Sequence, residues 1–424
     1  METNQLYKLF IEHPVVCTDT RKITKNCIFF ALKGENFNGN LFAKNALDLG
    51  ATYAIVDEKE VATQPNIIYV KDALVALQEL ANYHRKQFNI PFIAITGSNG
   101  KTTTKELINA VLSKRYKTVA TVGNLNNHIG VPLTILSVTN QSEVAIIEMG
   151  ANHPKEIGFL CTIAEPNYGI ITNIGKAHIE GFGSFEGVIQ TKSELYHFIE
   201  ANKGKLFVNV DDDLLVNLSK NINSVLYGNS SSFCNARLIS SNPVLLLDWK
   251  GNRITTQLYG KYNFTNILAA ICIGTYFQVE DHNIVEAITE YTSTNNRSQL
   301  VKKGTNVFYL DAYNANPTSM NAAIDTFIEN KIKNKLMILG DMLELGAISE
   351  AEHQIIIKKA ISSKITTLFV GKNFGLFASK YKNKSIHFFE NHKQASSFVK
   401  TQNFLNFNIL IKGSRGIQLE KIIE

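Results

Sequence analysis

The sequence predicts an α/β protein of three domains, over residues 1–85, 86–295 and 296–424. Three observations predict it. At 424 residues the chain is longer than one ordinary hydrophobic core accommodates. Short apolar runs suited to buried strands alternate with helical patterns along most of its length, the signature of parallel sheets wound by helices. Polar residues gather where those runs end, and in such sheets ligands bind outside the carboxyl ends of the strands.

Residues 1–85 form a small α/β unit. Strand-like runs at Cys27–Leu32, Tyr53–Val56 and Ile67–Val70 are separated by a helical pattern over 41–49. Asp19-Thr20-Arg21 and Lys33-Gly34 lie beside its first strands. A helix start or a glycine loop there receives an anion, but a capped turn with a surface arginine explains the same residues equally well. A helix over 72–88 leads into the next unit.

The central unit opens on Pro91–Ile95, an apolar strand, followed by Thr96-Gly97-Ser98-Asn99-Gly100-Lys101-Thr102-Thr103 and by Leu107, Ala110 and Val111 at helical spacing. In a strand–glycine turn–helix, the backbone N–H groups and the positive helix end converge on one point, which favours a phosphate. Lys101 adds a full charge there and Thr102 offers a hydroxyl to Mg²⁺. Only Ser98 and Asn99 separate Gly97 from Gly100-Lys101-Thr102, so the spacing is shorter than in the common phosphate loop. Nucleoside-triphosphate binding nevertheless outweighs a plain turn. The expected architecture is therefore a doubly wound parallel sheet of the P-loop ATPase type.

Later strands of this unit end in polar residues. Val144–Ile147 delivers Glu148, a Mg²⁺ ligand on this reading, because Mg²⁺ takes one or two carboxylates together with phosphate oxygens. Gly169–Thr172 delivers Asn173 and a loop holding Gly175, His178, Gly181 and Gly183. His178 is either a structural histidine or a ligand for a second metal ion. Lys192, in a helical first turn, reads on its own as one more exposed lysine. Leu206–Val210 is followed by Asp211 and Asp212. Lys250-Gly251-Asn252 predicts a hairpin turn. Asn263 and Asn266, three apart at a helix start, are caps or partners for an adenine edge.

Beyond Asn295-Asn296-Arg297 a third unit, Rossmann-like, is expected. Its strands end at Asp311, Asp341 and Lys412, and continue into Ala312–Pro317, Met342–Gly346 and Gly413–Gly416. Strand ends carrying Asp, Asn, Lys and Arg look like half of a site, with the phosphate loop as the other half.

Composition narrows the classes. With 45% hydrophobic and 19% charged residues the chain reads as soluble and globular. Its net charge of +6 is spread out, with no basic block for nucleic acid. No stretch of about 18 apolar residues is present, and the start lacks a basic region followed by an apolar one, so no membrane insertion is expected. Five widely spaced cysteines without a Cys-x-x-Cys pair read as reduced thiols of a cytoplasmic protein.

These residues resemble the ATP-dependent Mur ligases of bacterial peptidoglycan synthesis. The resemblance is carried by Thr96–Thr103, Glu148-Met149-Gly150, Asn173–His178, Lys192-Ser193-Glu194, Asn209–Asp212 and Asn263-x-x-Asn266. Gly123–Thr134, Asp311–Pro317, Gly340–Gly346 and Lys412–Arg415 look most like the branch that joins D-alanyl-D-alanine to a UDP-N-acetylmuramoyl tripeptide. The resemblance implies a cytoplasmic, ADP-forming ligase, expected as a monomer, with ATP and two Mg²⁺ ions. Gly97, Ser98, Asn99, Gly100, Lys101, Thr102 and Thr103 would hold ATP, helped by Asn263, Asn266, Arg297 and Asp311. Thr102, Glu148, His178 and a carbamate on Lys192 would hold metal, with Lys101, His178 and Lys192 as catalytic groups. Thr20 and Arg21 would meet the uridine diphosphate. Asn314, Asn316, Lys412, Ser414 and Arg415 would face the dipeptide. Tyr262 stands where the family commonly has His, and Phe37-Asn38-Gly39-Asn40 where it has Asp-Gly-His. The Asp-Asn-Pro-Arg stretch of the relative that adds the third amino acid is missing.

Overall fold

The structure, a computed structural model, describes residues 1–293, 297–381 and 384–423. The expected boundary between 295 and 296 lies outside the described residues.

The first unit is a four-stranded parallel sheet in the order Val16–Cys17, Ile28–Phe30, Tyr53–Val56, Ile67–Tyr69. Helix Ala73–Arg85 starts where the Asp72 carboxylate accepts the Val75 N–H at 2.9 Å, which satisfies one of the orphan amides of the first turn. Leu77, Leu80 and Ala81 of this helix join an apolar cluster that runs from Leu6 and Phe10 into Ala94 and Ile147 of the central unit. Arg85 fastens its end: the guanidinium donates to the carbonyls of Phe88, Ala164 and Glu165 at 2.9 Å each and lies 3.8 Å over the Phe92 ring. Packing is thus continuous across residue 85, and the helix is shared by both units.

The central sheet has seven parallel strands, ordered Cys234–Asn235, Ser224–Gly228, Lys205–Asn209, Tyr168–Ile171, Phe92–Thr96, Val144–Glu148, Thr118–Ala120. Phe92–Thr96 and Val144–Glu148 are buried at every position, as continuous apolar runs in a sheet covered on both faces must be. The first strand in sequence lies inside, with later strands on either side, so the winding reverses there and opens a crevice. Register sets Ile95 beside Glu148 and Thr96 beside Ile171. This is the doubly wound sheet expected from the sequence. The predicted hairpin, Leu246–Trp249 and Asn252–Thr255, gains an unexpected third strand, Arg237–Ser240.

The third sheet runs Gln299–Lys303, Asn306–Asp311, Asn408–Lys412, Lys335–Gly340, Thr366–Val370, Ile386–Phe389. Its first strand is antiparallel and the others parallel. Asp311 and Lys412 are register partners on neighbouring strands. Among the described residues no helix is long and apolar enough to cross a membrane, and all five cysteines are buried and free.

Candidate active site

The loop after Phe92–Thr96 has the backbone its glycines announce. Gly97 has φ +142°, and a Cβ there would lie 2.0 Å from Thr172 Oγ1. Gly100 has φ +80°, and its Cβ would lie 2.6 Å from Asn266 Oδ1. Both positions need glycine for conformation and for space. The neighbouring strand end braces the loop: Ser98 N–H donates to Asn173 O (2.9 Å), Asn99 N–H to Asn173 Oδ1 (3.1 Å), and Ser98 Oγ to Gly175 O (3.0 Å). Helix Lys101–Leu112 then begins without a side-chain cap. Its first amides are left for an anion. Lys101 Nζ donates to Gly97 O at 2.7 Å. Burial pushes its pKa down to about 8, against the pull of Glu148 and with a smaller push from Arg297.

Glu148 is 1% exposed. Its Oε1 accepts from Thr102 Oγ1 (3.1 Å) and Asn126 Nδ2 (2.7 Å), whereas Oε2 has no partner among the described residues. A buried carboxylate oxygen left unpaired is costly, and beside a threonine hydroxyl it suits a hard cation. No group of three or more His, Cys, Asp or Glu that could hold a metal occurs among the described residues. Phosphate oxygens and water would have to complete the shell, which is how Mg²⁺ is usually bound.

His178, at φ +53°, directs Nδ1 onto Glu344 of the third unit in a hydrogen bond, and that bond holds the Glu344 carboxyl below its ordinary range. Lys192 corrects the reading made from its helical context: it is 1% exposed, with Nζ 5.5 Å over the Phe182 ring and no hydrogen bond among the described residues. Burial, then the charge of Lys101, push its amine well below the usual lysine range, with Glu156 and Glu194 opposing.

The third unit supplies the facing wall. Lys412 Nζ donates to Asp311 Oδ2 at 2.6 Å and to Asn314 O at 3.2 Å. The Arg297 guanidinium lies 3.6 Å over the Tyr313 ring, and its buried Nε has no partner among the described residues. The Arg415 guanidinium is 5.4 Å from the same ring. Ser414 Oγ accepts the Leu343 N–H at 3.0 Å. Asn316 caps its own helix by accepting the Ser319 N–H (2.9 Å) and reaches across to donate to Asn99 Oδ1 (2.7 Å). Asn263 and Asn266 spend their amides internally: Asn263 Nδ2 donates to Tyr259 O, Asn266 Nδ2 to Asn263 Oδ1, and Thr104 Oγ1 to Asn266 Oδ1. They pin helix Asn263–Tyr276 to the loop helix. Tyr262 bonds Ser298 Oγ at 3.1 Å.

A cavity of about 900 Å³ lies between these walls, lined by residues 98–103, Glu148, His178, Asn263, Asn266, Arg297, Asp311, Asn314, Lys412, Ser414 and Arg415. Gly97, Lys192 and Asn316 are not among the residues that line it. Thr20 and Arg21 are not brought to it either. Arg21 is 88% exposed at its side chain and pairs with Asp19 at 2.8 Å, as the capped-turn reading has it. Asn126, Tyr313 and Glu344 join the site without having been singled out in the sequence. Each lies in a stretch noted for resemblance, but no spacing rule points to the individual side chain.

A phosphate cradle, a buried carboxylate with a spare oxygen and a facing wall of arginine and lysine define a multidomain nucleotide-dependent enzyme that works between its domains. Residues 14–85, 95–274 and 296–415 match, respectively, the Mur ligase family catalytic domain, the Mur ligase middle domain and the Mur ligase glutamate ligase domain. The chain belongs to the Mur ligase family. It is 34% identical to the UDP-N-acetylmuramoyl-tripeptide–D-alanyl-D-alanine ligase of Bacillus subtilis, over 99% of this chain and 94% of that protein. The Escherichia coli protein of the same name is 33% identical, over 96% and 92%. A crystal structure of MurF from Acinetobacter baumannii matches with TM-score 0.85 at 30% identity, covering 96% of this chain and 92% of that one. MurF ligase from Thermotoga maritima, solved in complex with ADP, shares the fold at TM-score 0.82 and 24% identity, covering 96% of each chain.

Proposed function

We infer that the chain is an ATP-dependent, ADP-forming peptide ligase that adds D-alanyl-D-alanine to UDP-N-acetylmuramoyl tripeptide in peptidoglycan precursor synthesis. The observation that carries this reading is the pairing, across one cavity, of uncapped loop amides and Glu148 with Arg297 and Arg415 of the third unit. Both halves of the reaction move negative charge, so positioned donors and cations dominate its catalysis.

In the first half the amides between Gly97 and Thr103 hold the triphosphate and Lys101 lies over its outer phosphates. The tripeptide carboxylate attacks the γ-phosphorus, and ADP leaves with the broken bond's electron pair. In the second half the dipeptide's ammonium gives up a proton to solvent, and the freed amine attacks the acyl carbon to form a tetrahedral intermediate. Phosphate departs with the electron pair of the broken bond, while the nitrogen loses its second proton to solvent as the amide closes. Arg297, Asp311, Asn263 and Asn266 serve the far side of the nucleotide. Asn314, Asn316, Lys412, Ser414 and Arg415 serve the dipeptide, and Thr20 and Arg21 the uridine diphosphate.

Thr102 and Glu148 would hold one Mg²⁺, and the orphan Oε2 supports that assignment. His178 and a carbamate on Lys192 would hold a second. When bound, such ions neutralise phosphate charge and orient the transferring group. Burial pushes the Lys192 amine well below the usual lysine range, which favours the neutral form that reacts with carbon dioxide. A cytoplasmic monomer completes the proposal. The test is to incubate the protein with ATP, Mg²⁺ and UDP-muramoyl tripeptide, add D-Ala-D-Ala or single amino acids, and measure phosphate. Release that needs tripeptide and dipeptide together supports the reading. Release indifferent to either contradicts it.

A further inference from the structure

Glu344 is a left-handed residue, φ +61°, at the end of a braced loop that follows strand Lys335–Gly340. Asp341 accepts the N–H groups of Asn373 and Phe374 at 2.8 and 2.9 Å, Met342 N–H donates to His353 Nε2 at 3.1 Å, and Leu343 N–H donates to Ser414 Oγ at 3.0 Å. The bracing of its neighbours holds the Glu344 backbone in this region, which non-glycine residues adopt less readily. The carboxylate crosses to His178 of the central unit, yet is 57% exposed and lines the cavity.

Of the other carboxylates on the described cavity wall, Asp311 and Glu156 are hydrogen-bonded and Glu148 is buried, its free Oε2 assigned above to a metal ion. Asp311 is paired with Lys412, Glu148 is buried against Thr102 and Asn126, and Glu156 accepts the N–H groups of Asn152 and His153. Glu344 combines a carboxylate 57% exposed at its side chain with a partner from the facing unit, the His178 ring, that an incoming cation can displace. An amino acceptor arrives as an ammonium at one end and a carboxylate at the other. The Leu343–Ser414 hydrogen bond sets the Glu344 loop beside Arg415, so both complementary charges stand on one wall.

We propose that Glu344 receives the ammonium end of the incoming dipeptide, releasing His178 as it does so, while Arg415 faces the dipeptide's carboxylate. This deepens the ligase reading and rests on it. Glu344 thereby selects an acceptor with a free, charged amine and delivers that amine to the His178 side of the cavity.

The test uses full-length Glu344→Gln, with Glu344→Asp as companion and thermal unfolding as the folding check. The first half-reaction is followed without dipeptide by trapping the acyl phosphate with hydroxylamine. The second is followed by the KM for D-Ala-D-Ala. Glu344→Gln is expected to raise that KM at least about tenfold, the size of one lost charge-assisted hydrogen bond, while the KM values for ATP and tripeptide and the hydroxamate yield stay close to wild type. Glu344→Asp recovers part of the loss. An unchanged dipeptide KM in Glu344→Gln overturns the proposal. So does loss of hydroxamate with an altered Mg²⁺ requirement, which would make Glu344 a metal-side group. If the wild-type protein itself gives no tripeptide-dependent hydroxamate, it is the ligase reading that fails.

Discussion

Lys101 is the residue on which charge and burial meet. Its pKa, pushed from 10.5 down to about 8 by burial, means that the charge present below pH 8 is lost as pH rises through that value. A triphosphate favours the charged form, so binding takes up a proton in alkaline solution. ATP affinity measured by calorimetry is therefore expected to weaken steadily from about pH 7 to pH 9.5, and a flat profile would contradict the assignment. Lys101→Ala is expected to abolish turnover. Lys192→Ala is expected to lose activity and regain part of it with an added short carboxylate; no rescue by any small acid would count against the carbamate. Lys101 and Thr102 were legible because the strand, glycine turn and helix that place them are contiguous in sequence. The burial of Lys192 was not, because it depends on Phe182 and on the packing of a helix that no local pattern reveals.

At the scale of elements, strand–turn–helix signals were readable wherever a run and its punctuation are adjacent in sequence. The ends of the central strands were correctly expected to carry the polar residues. Which ends become neighbours was not readable. Glu148 lies beside the loop because Val144–Glu148 pairs with Phe92–Thr96, and Asp311 meets Lys412 because two strands pair 101 residues apart in sequence. Such long-range register is set by the whole sheet. The bracing by Asn173 and Thr172 belongs to the same class of fact. It makes Gly97→Ala a sharp test of the element: the added Cβ, 2.0 Å from Thr172 Oγ1 at φ +142°, is expected to cost about 1–3 kcal/mol in denaturant unfolding. It should also cost most ATP binding. Wild-type stability and affinity would show that the loop backbone differs from the one described.

For the whole molecule, the site exists only where the central and third units meet. Polar links across that seam include Asn316 to Asn99 at 2.7 Å, Lys176 to Glu352 at 2.8 Å, Tyr262 to Ser298 at 3.1 Å, the Glu180 N–H to the Glu344 carbonyl at 3.3 Å, and Glu344 to His178. Lys176 and Glu344 are each more than half exposed, and such pairs contribute about 0–1 kcal/mol. The exposed pairs by themselves are too weak to hold the units shut. Ligands that bridge both walls should therefore favour closure. Small-angle scattering is expected to show a smaller radius of gyration with an ATP analogue and tripeptide than without; identical curves would argue against a moving seam. Chain pattern foretold the two halves of the site, but the seam arises from contacts between units that no single segment encodes. The most direct measurement is a crystal structure with a non-hydrolysable ATP analogue and Mg²⁺. The account predicts the terminal phosphate on the amides between Gly97 and Thr103, with Glu148 and Thr102 on one side and Arg297 on the other. A nucleotide bound elsewhere, with that turn empty, would contradict it.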